Sequence, residues 1–225
     1  MIRLSCIVPA FNEADRIGEV LRVVTAHSLI DEVIVVDDGS DDGTAAVAAL
    51  FDSVEIIVNP VNKGKSSAVC SGVRAARGSV LLLVDADLVG LSKDHLTDLI
   101  SPVLDDLADF SISLRQNALS PWKWLGLDYV SGERVLLREV FSNRLEEIEG
   151  LPGFGLEVYM NKLLTQRGSR IKVVPWDGVE SPRKCVKYGF WSGAAAEMRM
   201  IRNIAQTVPL SESFFQINAM LRARV

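Results

Sequence analysis

Histidine and cysteine are scarce in this 225-residue chain, which has two of the former and three of the latter. The cysteines, Cys6, Cys70 and Cys185, are far apart and form no CxxC pair, so the sequence predicts reduced thiols rather than a zinc site. Basic charge is also low, because Lys and Arg number 24 against 29 Asp and Glu, for a net charge of -5. Since proteins that bind duplex nucleic acid are usually basic, nucleic acid is not expected as a partner.

Long hydrophobic runs are absent as well. The longest, Val80 to Val84, ends in an aspartate, so no segment reaches the length that spans a bilayer. No signal peptide is visible before the first apolar run, and we therefore expect a cytoplasmic protein. The hydrophobic fraction of 48% excludes a mostly disordered chain. We expect a single domain over 1–225.

Short apolar strands alternate with amphipathic helices through the first half of the chain. Strands are predicted at Leu4–Val8, Val33–Asp37, Val54–Val58, Val80–Val84 and Phe110–Leu114. The first helix is predicted to begin at an Asn12 cap and to run to about Ala26. This alternation predicts an α/β fold with a mostly parallel central sheet and helices on both faces.

The second half is less regular. It predicts a strand running into a helix over 135–143, a helix over 156–166, a strand over 171–174 and a helical tail over 191–225. Trp122 and Trp124 fall in a stretch without clear periodicity, which we interpret as a loop. His27 and His95 fall on predicted helices away from the motifs and are expected at the surface.

Acidic side chains follow the predicted strands, at the end of a parallel sheet where ligands bind. Asp85 and Asp87 are spaced so that they repel each other or share a cation, and oxygen ligands favour Mg²⁺ or Mn²⁺. The alternative is one helix-capping and one solvated aspartate. Asp37 and Asp38 can accept a base N–H or a ribose hydroxyl, although part of this segment must serve the turn.

Two lysines, Lys63 and Lys65, flank Gly64 at the start of a predicted helix. Backbone N–H groups at a helix start suit a phosphate, and an exposed basic turn is the equally simple alternative. The same residues only partly match a P-loop, because Asn59 stands where its first glycine belongs. A haloacid-dehalogenase motif at Asp85 comes too late in the chain, and no GxGxxG for a nicotinamide enzyme follows the first strand.

Four motifs in this order resemble the family 2 glycosyltransferases of the GT-A fold. They are Val8-Pro9-Ala10-Phe11-Asn12-Glu13, Asp37-Asp38-Gly39-Ser40, Asn62-Lys63-Gly64-Lys65 and Asp85-Ala86-Asp87. The resemblance covers roughly residues 4–115, which would form the nucleotide-sugar-binding half. It implies a metal-dependent transfer of sugar from a UDP- or GDP-linked donor. The implied donor-binding residues are Pro9, Ala10, Phe11, Glu13, Asp37, Asp38, Lys63, Lys65, Asp85, Ala86, Ser131 and Gly132.

Residues 116–190 resemble the acceptor-side half of the subgroup that contains dolichyl-phosphate sugar synthases and glucosyl-3-phosphoglycerate synthases. Ser131-Gly132-Glu133-Arg134 is similar to its turn beside the acceptor, and Gly153 to Glu157 is similar to the segment that opens its acceptor-side helix. Asp87, with Asp85, is implied as the metal ligand. Ser181 stands where a metal-binding histidine is often found, so the third ligand is open. Both anomeric outcomes, inversion and retention, also stay open.

Asp87 and Glu157 are the candidate catalytic residues. A hydroxyl acceptor needs a general base, for which Glu157 is the first choice, whereas a phosphate acceptor needs none. Glu157 is equally compatible with an ordinary position in the first turn of a helix. The acceptor is open between a polyprenyl phosphate and a small phosphorylated molecule. A basic segment that contains Trp and Phe allows peripheral contact at the inner face of the membrane. A homodimer is also possible. The alternative function is that of a non-catalytic nucleotide-sugar-binding protein.

Overall fold

The computed structural model describes residues 3–118, 120–181 and 207–225. Its strands are β1 (Leu4–Ala10), β2 (Glu32–Asp37), β3 (Val54–Val58), β4 (Val80–Leu83), β5 (Phe110–Arg115), β6 (Arg134–Leu137) and β7 (Ile171–Trp176). Its helices are α1 (Ala14–Thr25), α2 (Thr44–Ala48), α3 (Lys65–Ala75), α4 (Lys93–Leu104), α5 (Ser120–Leu125), α6 (Glu139–Ser142), α7 (Leu145–Glu149), α8 (Gly155–Gln166) and α9 (Leu210–Arg222).

The seven strands form one sheet in the order β3-β2-β1-β4-β6-β5-β7. Strand β6 is antiparallel to both of its neighbours, while the other pairs are parallel. The chain runs from β1 to one side of the sheet and returns to the other side at β4. A crevice therefore opens between the carboxyl ends of β1 and β4, which is the position where open α/β sheets bind ligands.

Both faces of the sheet are covered, as the alternation within β1 illustrates. Ile7 packs in a core with Val69 of α3 and Phe110 of β5, and it is fully buried. Its neighbours Cys6 and Val8 point to the opposite face and pack with α1 and α4. The predicted fold class, a mostly parallel sheet between two helical layers, is confirmed.

The start of α1 differs from the prediction. Asn12 is not the N-cap; it has a positive φ of 55°, and Glu13 occupies the cap position without a side-chain cap bond. The backbone N–H groups of Glu13 and Ala14 donate instead to Thr44 Oγ1 at 2.9 Å and Asp42 Oδ2 at 3.0 Å. The cap comes from the loop after β2 and the first residue of α2, and a tertiary contact of this kind leaves no local pattern in the sequence.

Two other expectations are wrong. Trp122 and Trp124 lie in helix α5, which has a proline at its second position, where the missing N–H costs nothing. His27 is 5% exposed rather than at the surface, and its Nε2 is 3.0 Å from Thr97 Oγ1.

The basic segment considered for membrane contact and part of the predicted tail lie outside the described residues; these include Arg183, Lys184, Lys187, Arg199 and Arg202. None of the helices in the described ranges is both long and apolar enough to cross a membrane.

Two glycines inside helices give a test of the packing between α3 and β1. A Cβ at Gly72 would lie 2.5 Å from Ile7 Cγ2, whereas a Cβ at Gly18 would make only an ordinary contact of 3.5 Å with Val47. We expect Gly72→Ala to lower the free energy of unfolding by roughly 1–3 kcal/mol because the core is overpacked. Gly18→Ala should raise it by roughly 0.5–1 kcal/mol through helix propensity. Urea denaturation measures both, and a stabilised Gly72→Ala protein would contradict this account of the core.

Candidate functional site

A cleft of about 320 Å³ opens at the carboxyl ends of β1, β2 and β4. It brings together nine of the residues predicted to bind donor or metal: Pro9, Ala10, Phe11, Glu13, Asp38, Lys65, Asp85, Ala86 and Asp87. Asn62, Gly64 and Ala68 complete the lining. Five predicted residues do not line this cleft: Asp37, Lys63, Ser131, Gly132 and Glu157.

Asp38 organises the loop between β3 and α3. Its carboxylate accepts hydrogen bonds from the backbone N–H groups of Lys63, at 3.0 Å, and Gly64, at 2.7 Å, and from the side-chain amide of Asn59 at 2.8 Å. The side chain is 3% exposed. Asp38 therefore holds one wall of the cleft in shape by satisfying backbone donors that would otherwise need water.

Lys65 joins two carboxylates from distant parts of the chain. Its Nζ lies 2.6 Å from Asp85 Oδ1 and 2.9 Å from Glu157 Oε1. Burial lowers the pKa of Lys65, but the two carboxylates outweigh this and leave its pKa above the ordinary value. Burial likewise raises the pKa of Asp85, and the charges of Lys65 and Arg115 outweigh it and hold the pKa below its usual range. Both groups are therefore charged at neutral pH.

Gly132 makes this ion pair possible. A Cβ at this position would lie 2.5 Å from Lys65 Nζ and 2.7 Å from Asp85 Oδ1, so both side chains would have to shift from their present positions. The glycine thus lets the backbone before β6 approach the pair closely. Gly132 lies behind the cleft rather than on its wall.

Arg115, which the sequence patterns did not single out, ends β5 beside Asp85. Its guanidinium is 3.4 Å from Asp128 Oδ2 and 3.5 Å from Glu133 Oε1, and both carboxylates are buried. Burial raises the pKa of Asp128 above its usual range. Arg115 lies at the carboxyl end of β5, which is parallel to its neighbour β7. Ligands bind at the carboxyl ends of parallel strands, and this rule, which identified Asp85, could also have identified Arg115.

The polar residues at the start of β6 are buried, and they form hydrogen bonds to other groups of the protein. Ser131 is 0% exposed, and its hydroxyl donates to Glu133 Oε2 at 2.7 Å. Arg134, also 0% exposed, donates to the Ser131 carbonyl at 2.7 Å and to Asn161 Oδ1 at 2.7 Å. Burial lowers the pKa of Arg134 to about 10. These contacts fix the turn before β6 against α8.

Two other predicted donor residues lie beside the cleft. The Asp37 carboxylate accepts a hydrogen bond from the Ser40 N–H at 2.9 Å and stabilises the turn after β2. The Lys63 side chain is exposed, and only its backbone reaches Asp38. Whether either group contacts a ligand stays a prediction.

Asp87 lies at the mouth of the cleft and contacts Ser181. The Ser181 hydroxyl is 3.0 Å from each carboxylate oxygen of Asp87. Within the described residues, no cluster of three His, Cys, Asp or Glu side chains could hold a metal ion by itself. The arrangement thus offers one carboxylate and one hydroxyl to a cation, with further ligands left to solvent or to a bound phosphate.

The sheet and the site together define an α/β domain with an acidic, lysine-containing cleft at its switch point. Residues 5–152 match the sequence model described as glycosyl transferase family 2, and the chain belongs to that family. The family resemblance drawn from the four motifs is thereby confirmed.

Relatives of known name agree with this assignment. The chain is 39% identical over 100 residues to a dolichyl-phosphate beta-glucosyltransferase of Mus musculus, a match that covers 38% of this chain and 31% of the relative. It is 32% identical over 109 residues to a glucosyl-3-phosphoglycerate synthase of Mycolicibacterium paratuberculosis, covering 45% and 33%. A glycosyltransferase of Haloferax volcanii is 35% identical over 91 residues, covering 37% and 30%. The matched segments thus span about a third of each relative.

Solved structures share the fold. The Mycobacterium tuberculosis glucosyl-3-phosphoglycerate synthase with Mn²⁺, UDP and its product superposes with a TM-score of 0.72 at 21% identity, over 91% of this chain and 79% of that chain. The same enzyme with Mn²⁺, UDP-glucose and phosphoglyceric acid gives 0.69 at 22% identity, over 91% and 79%. The predicted GT-A architecture is confirmed by these neighbours.

Replacing Lys65 by Met tests the central ion pair. The pKa of Asp85 is lower in the folded protein than in the unfolded chain, so its charged form stabilises the fold. This stabilisation is fully present at pH values above the pKa of the unfolded chain, and it is lost as the pH falls through the pKa of the folded protein. We expect Lys65→Met to lower the free energy of unfolding at pH 7 by about 1–3 kcal/mol, because the buried carboxylate of Glu157 and the partly buried one of Asp85 lose their partner. The deficit should shrink below about pH 4, where carboxylates take up protons.

Urea denaturation at both pH values measures the effect. Lys63→Met is the matched control, since this neighbouring side chain is exposed, and its stability should change little. A Lys65→Met deficit that is the same at both pH values would show that lost packing, rather than charge, is responsible.

Proposed function

We propose that this protein transfers a sugar from a nucleoside-diphosphate sugar, UDP- or GDP-linked, to an acceptor in a metal-dependent reaction. The observation that carries the proposal is the meeting of Pro9, Asp38, Lys65 and Asp87 in one cleft at the switch point of the sheet. Membership of the glycosyl transferase family 2 supports it. So do the structural neighbours, whose complexes contain UDP with Mn²⁺ or Mg²⁺.

The donor set at Asp87 fits a hard divalent cation. Carboxylate and hydroxyl oxygens suit Mg²⁺ and Mn²⁺, which take remaining ligands from water and phosphate. Asp87 would hold the ion, with Asp85 beside it toward the sugar. A bound ion would supply Lewis-acid stabilisation of the charge that gathers on the leaving diphosphate.

The chain's own residues would orient the donor. Pro9, Phe11, Glu13 and Asp38 would surround the nucleoside, in a cleft whose wall is already braced by the Asp38 hydrogen bonds. Lys65 would hold Asp85 in one position through their 2.6 Å contact, so that the carboxylate meets the sugar without reorganising. Asp37, Lys63, Ala10, Ala86, Ser131 and Gly132 remain predictions for the donor site, the buried members acting by shaping it.

The acceptor side would lie toward α8 and the loop before β6. Glu157 is 1% exposed and shares Lys65 with Asp85, and its Oε2 accepts no hydrogen bond from the described residues. We propose Glu157 as the base for a hydroxyl acceptor, and because this oxygen is buried and does not line the cleft, a side-chain movement would have to expose it before it takes the proton. We propose a small phosphorylated acceptor or a polyprenyl phosphate, the classes named among the relatives. Peripheral membrane contact, a homodimer, a cytoplasmic location and the division into donor half, acceptor half and tail remain predictions.

Asp87→Asn tests the metal role. We expect wild-type protein to gain heat stability from UDP or GDP with Mn²⁺, because a ligand that binds only the folded state stabilises it. The variant should lose this gain and at least about a hundredfold in nucleotide release from a panel of nucleotide sugars. Asp41→Asn, in the exposed loop after β2, is the matched control and should behave as wild type.

Two outcomes would contradict the proposal. Full activity of Asp87→Asn would remove the metal role. Binding of nucleotide sugar by the wild type without any turnover over the whole acceptor panel would favour a non-catalytic nucleotide-sugar-binding protein.

Glu157→Gln tests the proposed base. The amide oxygen can still accept from Lys65, so the fold of the site is kept, but it cannot take a proton. With a hydroxyl acceptor the rate should fall by roughly 10²–10⁴, whereas a phosphate acceptor, which is already anionic, should show little change. Glu146→Gln on exposed α7 is the control. Equal losses with both acceptors would assign Glu157 to positioning Lys65 instead.

A further inference from the structure

The loop that carries Ser181 is built to bring this side chain to Asp87. Backbone hydrogen bonds join Val89 and Glu180 in both directions, at 2.8 and 3.0 Å. The Asn117 side chain donates to the Ser181 carbonyl at 2.6 Å. A Cβ at Gly90 would lie 2.2 Å from the Gly178 carbonyl oxygen, so the two loops approach as closely as a glycine permits. The position of Ser181 is therefore fixed from both sides.

No histidine of this chain can replace Ser181 at the site. The sequence has two, and the structure assigns each a different partner. His27 Nε2 is 3.0 Å from Thr97 Oγ1, and His95 forms a capping box with Ser92 at the start of α4. These 225 residues therefore supply no imidazole ligand, the nitrogen donor that favours the later transition metals, to Asp87.

On the basis of the proposed function, we propose that the cation at Asp87 is held by an all-oxygen ligand set in which the Ser181 hydroxyl is a ligand. The Ser181 hydroxyl donates to Asp87 at 3.0 Å from each carboxylate oxygen. Adjacent ligands of an octahedral ion also lie about 3.0 Å apart when each is about 2.1 Å from it, so the hydroxyl can bind the ion by turning its proton away without moving its oxygen. The hydroxyl also stays neutral, so it adds a donor without adding charge.

Two consequences follow for metal binding. Oxygen ligands discriminate weakly between Mg²⁺ and Mn²⁺, so the protein should use both with similar affinity. The described residues contain no three-residue metal cluster, so the ion should bind tightly only together with the nucleoside diphosphate, whose phosphate oxygens complete the coordination.

Two substitutions of Ser181 test the ligand assignment. Ser181→His supplies an imidazole and should tighten Mn²⁺ relative to Mg²⁺ by at least about tenfold, the lower end of what even outer-shell changes do to metal sites. Ser181→Cys, which is close to Ser in size, supplies a soft ligand and should give Co²⁺ a thiolate absorption band. Ser53→His, at an exposed site between α2 and β3, adds the same imidazole away from the cleft and is the control.

Binding is measured without any acceptor, so activity is not the readout. Free Mn²⁺ is followed by electron paramagnetic resonance, and UDP or GDP binding by calorimetry, with Mg²⁺ as competitor. The proposal expects the Mn²⁺-to-Mg²⁺ preference to change in Ser181→His alone and the thiolate band to appear in Ser181→Cys alone. An unchanged preference in Ser181→His, no band in Ser181→Cys, or a thiolate band already present in the wild type would overturn it.

The proposed function fails in a different way. Wild-type protein that binds neither UDP nor GDP with any divalent ion would overturn the glycosyltransferase proposal itself. Metal-dependent nucleotide binding that all three variants share unchanged would leave that proposal in place and overturn only the role of Ser181.

Discussion

The ammonium group of Lys65 is the contact on which the rest of the site depends. Lys65 is the first residue of α3, and its ammonium group contacts Asp85 after β4 and Glu157 in the first turn of α8. It thus joins three elements that are distant in the sequence. An unpaired carboxylate at this depth would be costly, so each partner needs the lysine as much as the lysine needs them. The ion pairs thereby connect the side of the cleft that belongs to the first half of the chain with the helix of the second half.

The charges around this lysine are unequal in number. Lys65, Arg115 and Arg134 face Asp85, Glu157, Glu133 and Asp128, so the carboxylates outnumber the cations by one even before Asp87 is considered. Burial is the main reason that the pKa of Asp128 is raised. A divalent cation would balance the excess of carboxylates, and it would also reverse the local field so that a diphosphate is attracted rather than repelled.

The lining of the cleft could be predicted from the sequence because its residues follow parallel strands, whose carboxyl ends meet at one end of the sheet. Pro9, Asp38, Asp85 and Asp87 all lie at such ends, and nine predicted residues line one cleft. The cap of α1 by Asp42 and Thr44, and the dependence of the Lys65–Asp85 pair on Gly132, could not be predicted in this way. Both are contacts between segments far apart in the chain, for which propensity and periodicity carry no signal. Ser131 shows the same limit, since its motif does not reveal that its hydroxyl is buried against Glu133.

The reversed direction of β6 has a consequence for how such a protein can change. The chain leaves β5 at the end of the sheet where the cleft opens, and it enters β6 at that same end because the two strands are antiparallel. Residues 116–133 therefore form an excursion that starts and finishes at one place, unlike the crossovers that must span the sheet. Lengthening or exchanging its part around α5 would alter what the cleft meets without shifting the register of any strand, whereas residues 127–133 are buried and support the Lys65 pair. The topology makes the part around α5 a replaceable module beside an unaltered cleft, which is how one scaffold can acquire new binding partners.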